Sequence, residues 1–329
     1  MPRTAPIGGA PTRKTAVRSG PPPMSLAQGM TKFGRHQCDR MPSRVPGPII
    51  LGVDFTATPS KRKPITVAVG RLMRGLLDVE AVERIETFEH YEALLARPGP
   101  WIGGFDHPFG QSIVLLDALG LPRGWTVYVS AVAAMGRPAF ETKVRAWQAA
   151  QPKGHKEAHR VGDALVGASA PHKLVHPPVG KMFVEGAPRL LKAGVSVPPL
   201  HAGDPTRIAL EAYPALIARR FAGSYKSDER GRQTAARTKA RRAILSGLSS
   251  GRLREEFGFV VRLPPALFRD ALDDASGDTL DAVLCAVIAA WAWSMRGRTR
   301  APFGIPNRRH PTIVTEGWIL DPALLRTIR

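Results

Sequence analysis

Cysteine is almost missing from this chain: Cys38 and Cys285 are the whole complement in 329 residues. One lies in a Pro- and Gly-rich segment and the other in an apolar run. That fits neither a disulfide framework nor a thiolate zinc site, and it points to a reducing compartment. No secretory leader is expected either, because the first residues are rich in Pro, Gly and Arg and have no apolar centre. The longest apolar stretch, Asp278 to Trp293, starts with acids and falls short of the roughly 20 residues that a membrane span needs. The expectation is a soluble, cytoplasmic protein with no membrane partner. Acids are the scarce charge: 27 Asp and Glu stand against 47 Lys and Arg, for a net +20. Nucleic acid is the natural partner of such a surface, and a merely solvated basic surface is the alternative.

Part of that surplus sits in residues 1–46, where Arg3, Arg13, Lys14, Arg18, Lys32, Arg35, Arg40 and Arg44 face only Asp39. This segment has Pro21-Pro22-Pro23 and no apolar periodicity, so it reads as a disordered basic tail. Met24, Met30 and Met41 leave open a later translation start. From Pro48 the pattern turns strand-like: a continuous apolar run over Ile49 to Phe55, alternation through Ile65, Val67 and Val69, and a third strand near Leu77 to Ile85. Short connections between them predict two hairpins. A helix over Phe88 to Ala96, a strand over Trp101 to Phe105, a helix over Gln111 to Leu119 and a fifth strand over Arg207 to Ala212 complete an α/β arrangement with a mixed sheet. Residues 120–205 read as an insertion over one face of the sheet, with one helix around Lys181 to Ala193. Helices follow over Ala215 to Arg220, Gln233 to Leu248, Pro265 to Asp273 and Asp278 to Trp293. The domain is expected over 47–322, with 323–329 as a C-terminal tail.

Acids at the ends of apolar runs are the feature that carries chemistry. Asp54 ends the first strand, Asp106 the fourth and Glu211 the fifth, while Asp278 and Asp281, spaced i and i+3, share one face of the last helix. A carboxylate abutting buried structure is costly unless a cation, a proton or strong donors compensate it, so several such acids suggest one shared ligand, a divalent metal. Two ions held by clustered carboxylates can activate water and stabilise a departing oxygen in phosphodiester cleavage. Lys226, Arg237 and Arg241 are the candidate contacts to substrate phosphate.

Gly52-Val53-Asp54-Phe55-Thr56, Phe105-Asp106-His107-Pro108, Glu211-Ala212-Tyr213-Pro214, Tyr225-Lys226-Ser227-Asp228, Asp278-x-x-Asp281-Ala282 and Glu316-Gly317-Trp318-Ile319-Leu320 resemble, in this order, the domain-of-unknown-function family 429. The resemblance covers about residues 48–322. It implies an RNase H-like fold whose five-stranded mixed sheet has the order 3-2-1-4-5 and is flanked by helices, and it implies nuclease activity. Asp54, Asp106, Asp278 and Asp281 match the acids of that arrangement, and Glu211 is added by the fifth-strand motif. The implied cofactor is a pair of Mg²⁺ or Mn²⁺ ions, and the implied substrate is DNA or RNA.

Each position also has a structural reading. Asp54 can hydrogen-bond a turn at Thr56 or Thr58, Asp106 can cap the helix after Pro108, and Asp278 and Asp281 can be an N-cap and a first-turn acid. Glu211 can pair with Arg207, Arg219 or Lys226, and the helix bearing Arg237 and Arg241 can be merely solvated. His155, His159 and Asp163 have metal-ligand spacing only if helical, and His107 suits a proton-transfer or supporting role beside Asp106. Two other functions stay in view: an inactive nucleic-acid-binding scaffold, and an actin-like phosphotransferase, for which no second glycine-rich phosphate loop is seen.

Overall fold

The computed structural model describes residues 47–227, 229–306 and 309–327. The expected basic tail, residues 1–46, lies outside them. Strands β1 (Ile49–Asp54), β2 (Ile65–Met73) and β3 (Leu76–Ile85) pair antiparallel in succession, as the two hairpins require. Arg74 and Gly75 form the two-residue link between β2 and β3, and both have positive φ, 48° and 77°. That is the backbone a tight right-twisted hairpin demands. Strand β4 (Trp101–Asp106) lies parallel to β1, with Gly52 beside Gly104 and Asp54 beside Asp106.

Two further strands are β5 (Val195–Ser196) and β7 (Val260–Arg262), and β6 (Asp204–Glu211) is the expected fifth strand. The mixed sheet therefore has seven strands in the order β5-β6-β4-β1-β2-β3-β7, which corrects the expected five-stranded sheet. The five expected strands sit side by side in its interior, and the two additions form its edges. With two and three residues, β5 and β7 are too short to show a period of two in the sequence.

One face of the sheet is covered by α1 (Phe88–Leu95), α2 (Ile113–Ala118) and α3 (Trp125–Ala150), and, beyond the short α4 (Val161–Val166), by α5 (Val179–Lys192). The region taken as an insertion is thus more helical than expected. Trp125, Tyr128, Val129 and Val132 bury an i, i+3, i+4, i+7 stripe, but Gly136 at φ 75° breaks the helix and Pro138 follows it. The opposite face carries α6 (Ala215–Ala218), α7 (Ala235–Gly247), α8 (Gly251–Phe257), α9 (Pro265–Asp273) and α10 (Asp278–Met295). Then come α11 (Pro311–Glu316) and, in the expected tail, the turn α12 (Leu324–Thr327), whose Leu324 is buried against the same core.

The helix α10 is apolar all round and buried from Asp278 to Ala292. It is long and apolar enough to cross a membrane by composition, yet here it is the central core helix lying across β1, β2 and β4. Its close approach depends on two glycines. A Cβ on Gly52 would collide with the backbone of Ala282 and Ala286, and one on Gly104 with the carbonyl of Cys285.

Candidate metal centre

Side-chain alternation along the parallel strands decides which acids can meet. Ile50 and Ile102 pack on the α10 face, while Leu51, Val53 and Phe105 pack on the other. Asp54 and Asp106 share the parity of Ile50 and Ile102, so both reach toward the start of α10. There the helix begins after Gly277, at φ 78°, and places Asp278 and Asp281 in its first turn. Asp274, rather than Asp278, accepts the Thr279 N–H of the first turn at 2.8 Å. The acids of the first turn complement the positive end of the helix dipole. As a result, carboxylate oxygens of Asp54, Asp106 and Asp281 all lie within 4.8 Å of one another.

The cluster is strained electrostatically. Burial, together with the neighbouring Asp278 and Asp281, drives the Asp54 carboxyl well above the usual carboxylate range. Burial, partly offset by Lys226, pushes Asp106 to about 7. Asp281 is fully buried and is raised chiefly for that reason, although Lys226 and Tyr225 pull it down. No described residue donates a hydrogen bond to the carboxylate of Asp54 or Asp106. Asp281 accepts from the Tyr225 hydroxyl and the Lys226 ammonium, and Asp278 accepts from Lys63 Nζ at 2.9 Å. Three crowded carboxylates, two of them without donors, form an oxygen site suited to a hard divalent cation such as Mg²⁺ or Mn²⁺.

Above the acids opens a cleft of about 570 Å³. Asp54, Asp106 and Asp278 line it, together with Lys63, Lys181 and Lys226. Asp281 does not line the cleft and is held by the side chains of Tyr225 and Lys226.

Other expected residues are placed elsewhere. Glu211 is opposite Phe105 in the β4–β6 register, so it takes the parity of Phe105 and leaves the sheet on the other face. There it accepts from Arg160 Nη1 at 2.8 Å and from the Phe109 N–H at 3.1 Å, which makes it a buried ion-pair partner rather than a member of the cluster. The basic partner differs from the three arginines and lysines expected. Arg241 is buried and donates to the carbonyls of Leu272 and Tyr225, so it braces the fold and is not presented to a substrate. Arg237 bonds Ser224 and the Arg232 carbonyl and does not line the cleft. Asp278 lines the cleft but lies outside the close triad, ion-paired to Lys63.

His107 alternates away from Asp106, packs beside Phe55 and Phe109, and donates its Nδ1–H to the Pro108 carbonyl at 3.0 Å. Burial holds its pKa at about 4. It therefore gives Asp106 no proton relay. His159 pairs with Glu157, and Asp163 with Arg160, so the His155, His159 and Asp163 spacing gathers no site. Sequence reading missed Tyr225 as a holder of Asp281, although it precedes Lys226, and missed Lys63, which is 215 residues from its partner Asp278. It also missed Arg160.

A family model described as a protein of unknown function (DUF429) matches residues 52–308. No curated protein and no solved structure matches the chain.

Proposed function

The chain belongs to this family of unknown function, and from the acids that its fold gathers we propose a metal-dependent phosphodiesterase acting on DNA or RNA, built on an RNase H-like core. The observation that carries the proposal is the meeting of Asp54, Asp106 and Asp281, from two parallel strands and one helix, with oxygens within 4.8 Å of one another beside a cleft that Asp54 and Asp106 line. The order β3-β2-β1-β4-β6 within the sheet, with acids on β1, β4 and the late helix, supports the fold assignment.

Asp54, Asp106 and Asp281 would hold one Mg²⁺ or Mn²⁺ ion, and Asp278 is the acid left to engage a second. Such ions supply Lewis acidity and an activated water for hydrolysis of a phosphodiester. The protein's own contributions are positional. Tyr225 fixes the Asp281 carboxylate, the glycines of β1 and β4 let α10 bring that acid close, and Lys226 and Lys63 set positive charge at the phosphate's approach.

The test is a cleavage panel of DNA and RNA with Mg²⁺ or Mn²⁺, run on the intact protein, Asp54→Asn and Asp281→Asn. Loss of an ion ligand should lower cleavage by more than about a hundredfold, beyond what outer-shell changes cost, while melting shows the fold retained. Equal cleavage by all three proteins removes the assignment. One observation favours a second reading, an inactive nucleic-acid-binding scaffold: Asp278 and Asp281 already have lysine counter-ions. Binding that survives in every variant, with no cleavage and no metal uptake, identifies that case.

A further inference from the structure

We infer that the cleft takes a single nucleic-acid strand and excludes the duplex, with one base seated against Tyr213; this rests on the phosphodiesterase reading and names its substrate class. Most of the acids sit deep, Asp281 being 0%, Asp278 5% and Asp54 9% exposed, with Asp106 partly buried. A phosphate must therefore enter the cleft to reach them. One wall is the start of α5 with the preceding Pro177 and Pro178, and the connection after β1 adds Thr56 and Thr58.

These pieces are fastened together by Arg137, which lies one residue after the break in α3. Its guanidinium donates to the Ala57 carbonyl at 3.1 Å, bonds Glu141 of its own helix at 3.0 Å and lies 3.7 Å from Glu185 of α5. The wall is thus a tied structure and not a loose flap. A volume of about 570 Å³ belongs to the range of pockets that enclose small ligands, roughly 300–1,000 Å³. A duplex carries its phosphates on a broad convex surface that a walled cleft of this size keeps from the floor. A single strand can turn one phosphate inward while its bases splay aside.

Recognition of single strands combines positive charge along the backbone with aromatic surfaces on which bases stack. Both are present. Lys63, Lys181 and Lys226 line the cleft, and Tyr213 lines it directly after β6. The Tyr213 ring is held in place: Arg219 donates to its hydroxyl at 3.1 Å, and the guanidinium lies 5.4 Å from the ring centre.

The experiment uses the full chain and one labelled oligonucleotide, single-stranded or annealed to its complement. Binding is followed by fluorescence anisotropy in Ca²⁺, and cleavage is followed separately in Mg²⁺ or Mn²⁺. The single strand should bind at least about tenfold more tightly than the duplex. Tyr213→Ala should weaken single-strand binding about tenfold, within the range that stacking of one base supplies, and Tyr213→Phe, which keeps the ring, should restore it; melting midpoints confirm that both variants fold. Equal binding of duplex and single strand, or an unchanged affinity in Tyr213→Ala, overturns the inference. The two readings fail separately. Tyr213-dependent strand binding without cleavage of any substrate sinks the phosphodiesterase and leaves the strand preference standing, whereas metal-dependent cleavage of duplex as fast as single strand does the reverse.

Discussion

Asp106 and His107 are adjacent in sequence, yet they face opposite sides of the sheet and respond to acid in opposite senses. Burial holds the Asp106 carboxyl at about 7 in the folded chain, while in an unfolded chain it titrates near 4. Between those values the folded state keeps a proton that the unfolded state gives up, so this group adds stability as pH falls through 7 toward 4. His107 is held at about 4 by burial. The unfolded chain takes up its proton below about 6.5 while the folded one does not, so this group removes stability over the same acid range. In chelator, Asp106→Asn should therefore lose melting temperature more steeply than the intact protein between pH 7 and 4, and His107→Phe less steeply. Thermal melts across that range decide it. Glu211 belongs to a different balance. Removing it as Glu211→Ala strips Arg160 of one of its two buried carboxylate partners, and chemical denaturation should register a loss of about 3–5 kcal/mol with Mn²⁺ affinity unchanged. The sequence showed an acid ending the fifth strand but not its phase, because the face that a strand residue takes is set by pairing with a distant neighbour, here Phe105. Asp54 and Asp106 were legible because their strands share parity and register, and Asp281 because helical spacing places it one turn into α10.

At the level of elements, the site depends on how near α10 lies to the sheet. Gly52 makes this possible, since its missing side chain leaves room for the backbone at Ala282, the residue next to Asp281. Gly52→Ala forces that helix outward, and overpacking of this kind costs about 1–3 kcal/mol. The expected outcome is a lower denaturation midpoint together with weaker Mn²⁺ binding by calorimetry; a loss of stability with unchanged metal affinity would separate the helix position from the site. The main strands and the later helices could be read from their apolar patterns. The stripe in α3 was hidden by the Gly136 break and Pro138, which look like loop punctuation, and β5 and β7 were below the length at which alternation becomes a signal.

For the whole molecule, the net charge of +20 coexists with one local cluster of acids, and it is that cluster, not the lysine-lined cleft around it, that calls for a cation. A cation that binds only the folded form shifts unfolding by mass action. Mn²⁺ at a hundredfold excess over its dissociation constant should stabilise the intact protein by about 2.7 kcal/mol, chelator should reverse the gain, and Asp281→Asn should show neither effect; differential scanning calorimetry checks all three. The charge excess was plain in the sequence, but its internal neutralisation was not, because pairs such as Lys63 with Asp278 are made only by folding. The margins of the sheet have their own consequence. β5 and β7 present two and three residues, and the part of β3 beyond its pairing with β7 carries Glu80, Glu83 and Arg84. Short outer strands and charged side chains there oppose the lateral joining of one chain to the next through the edges of the described sheet.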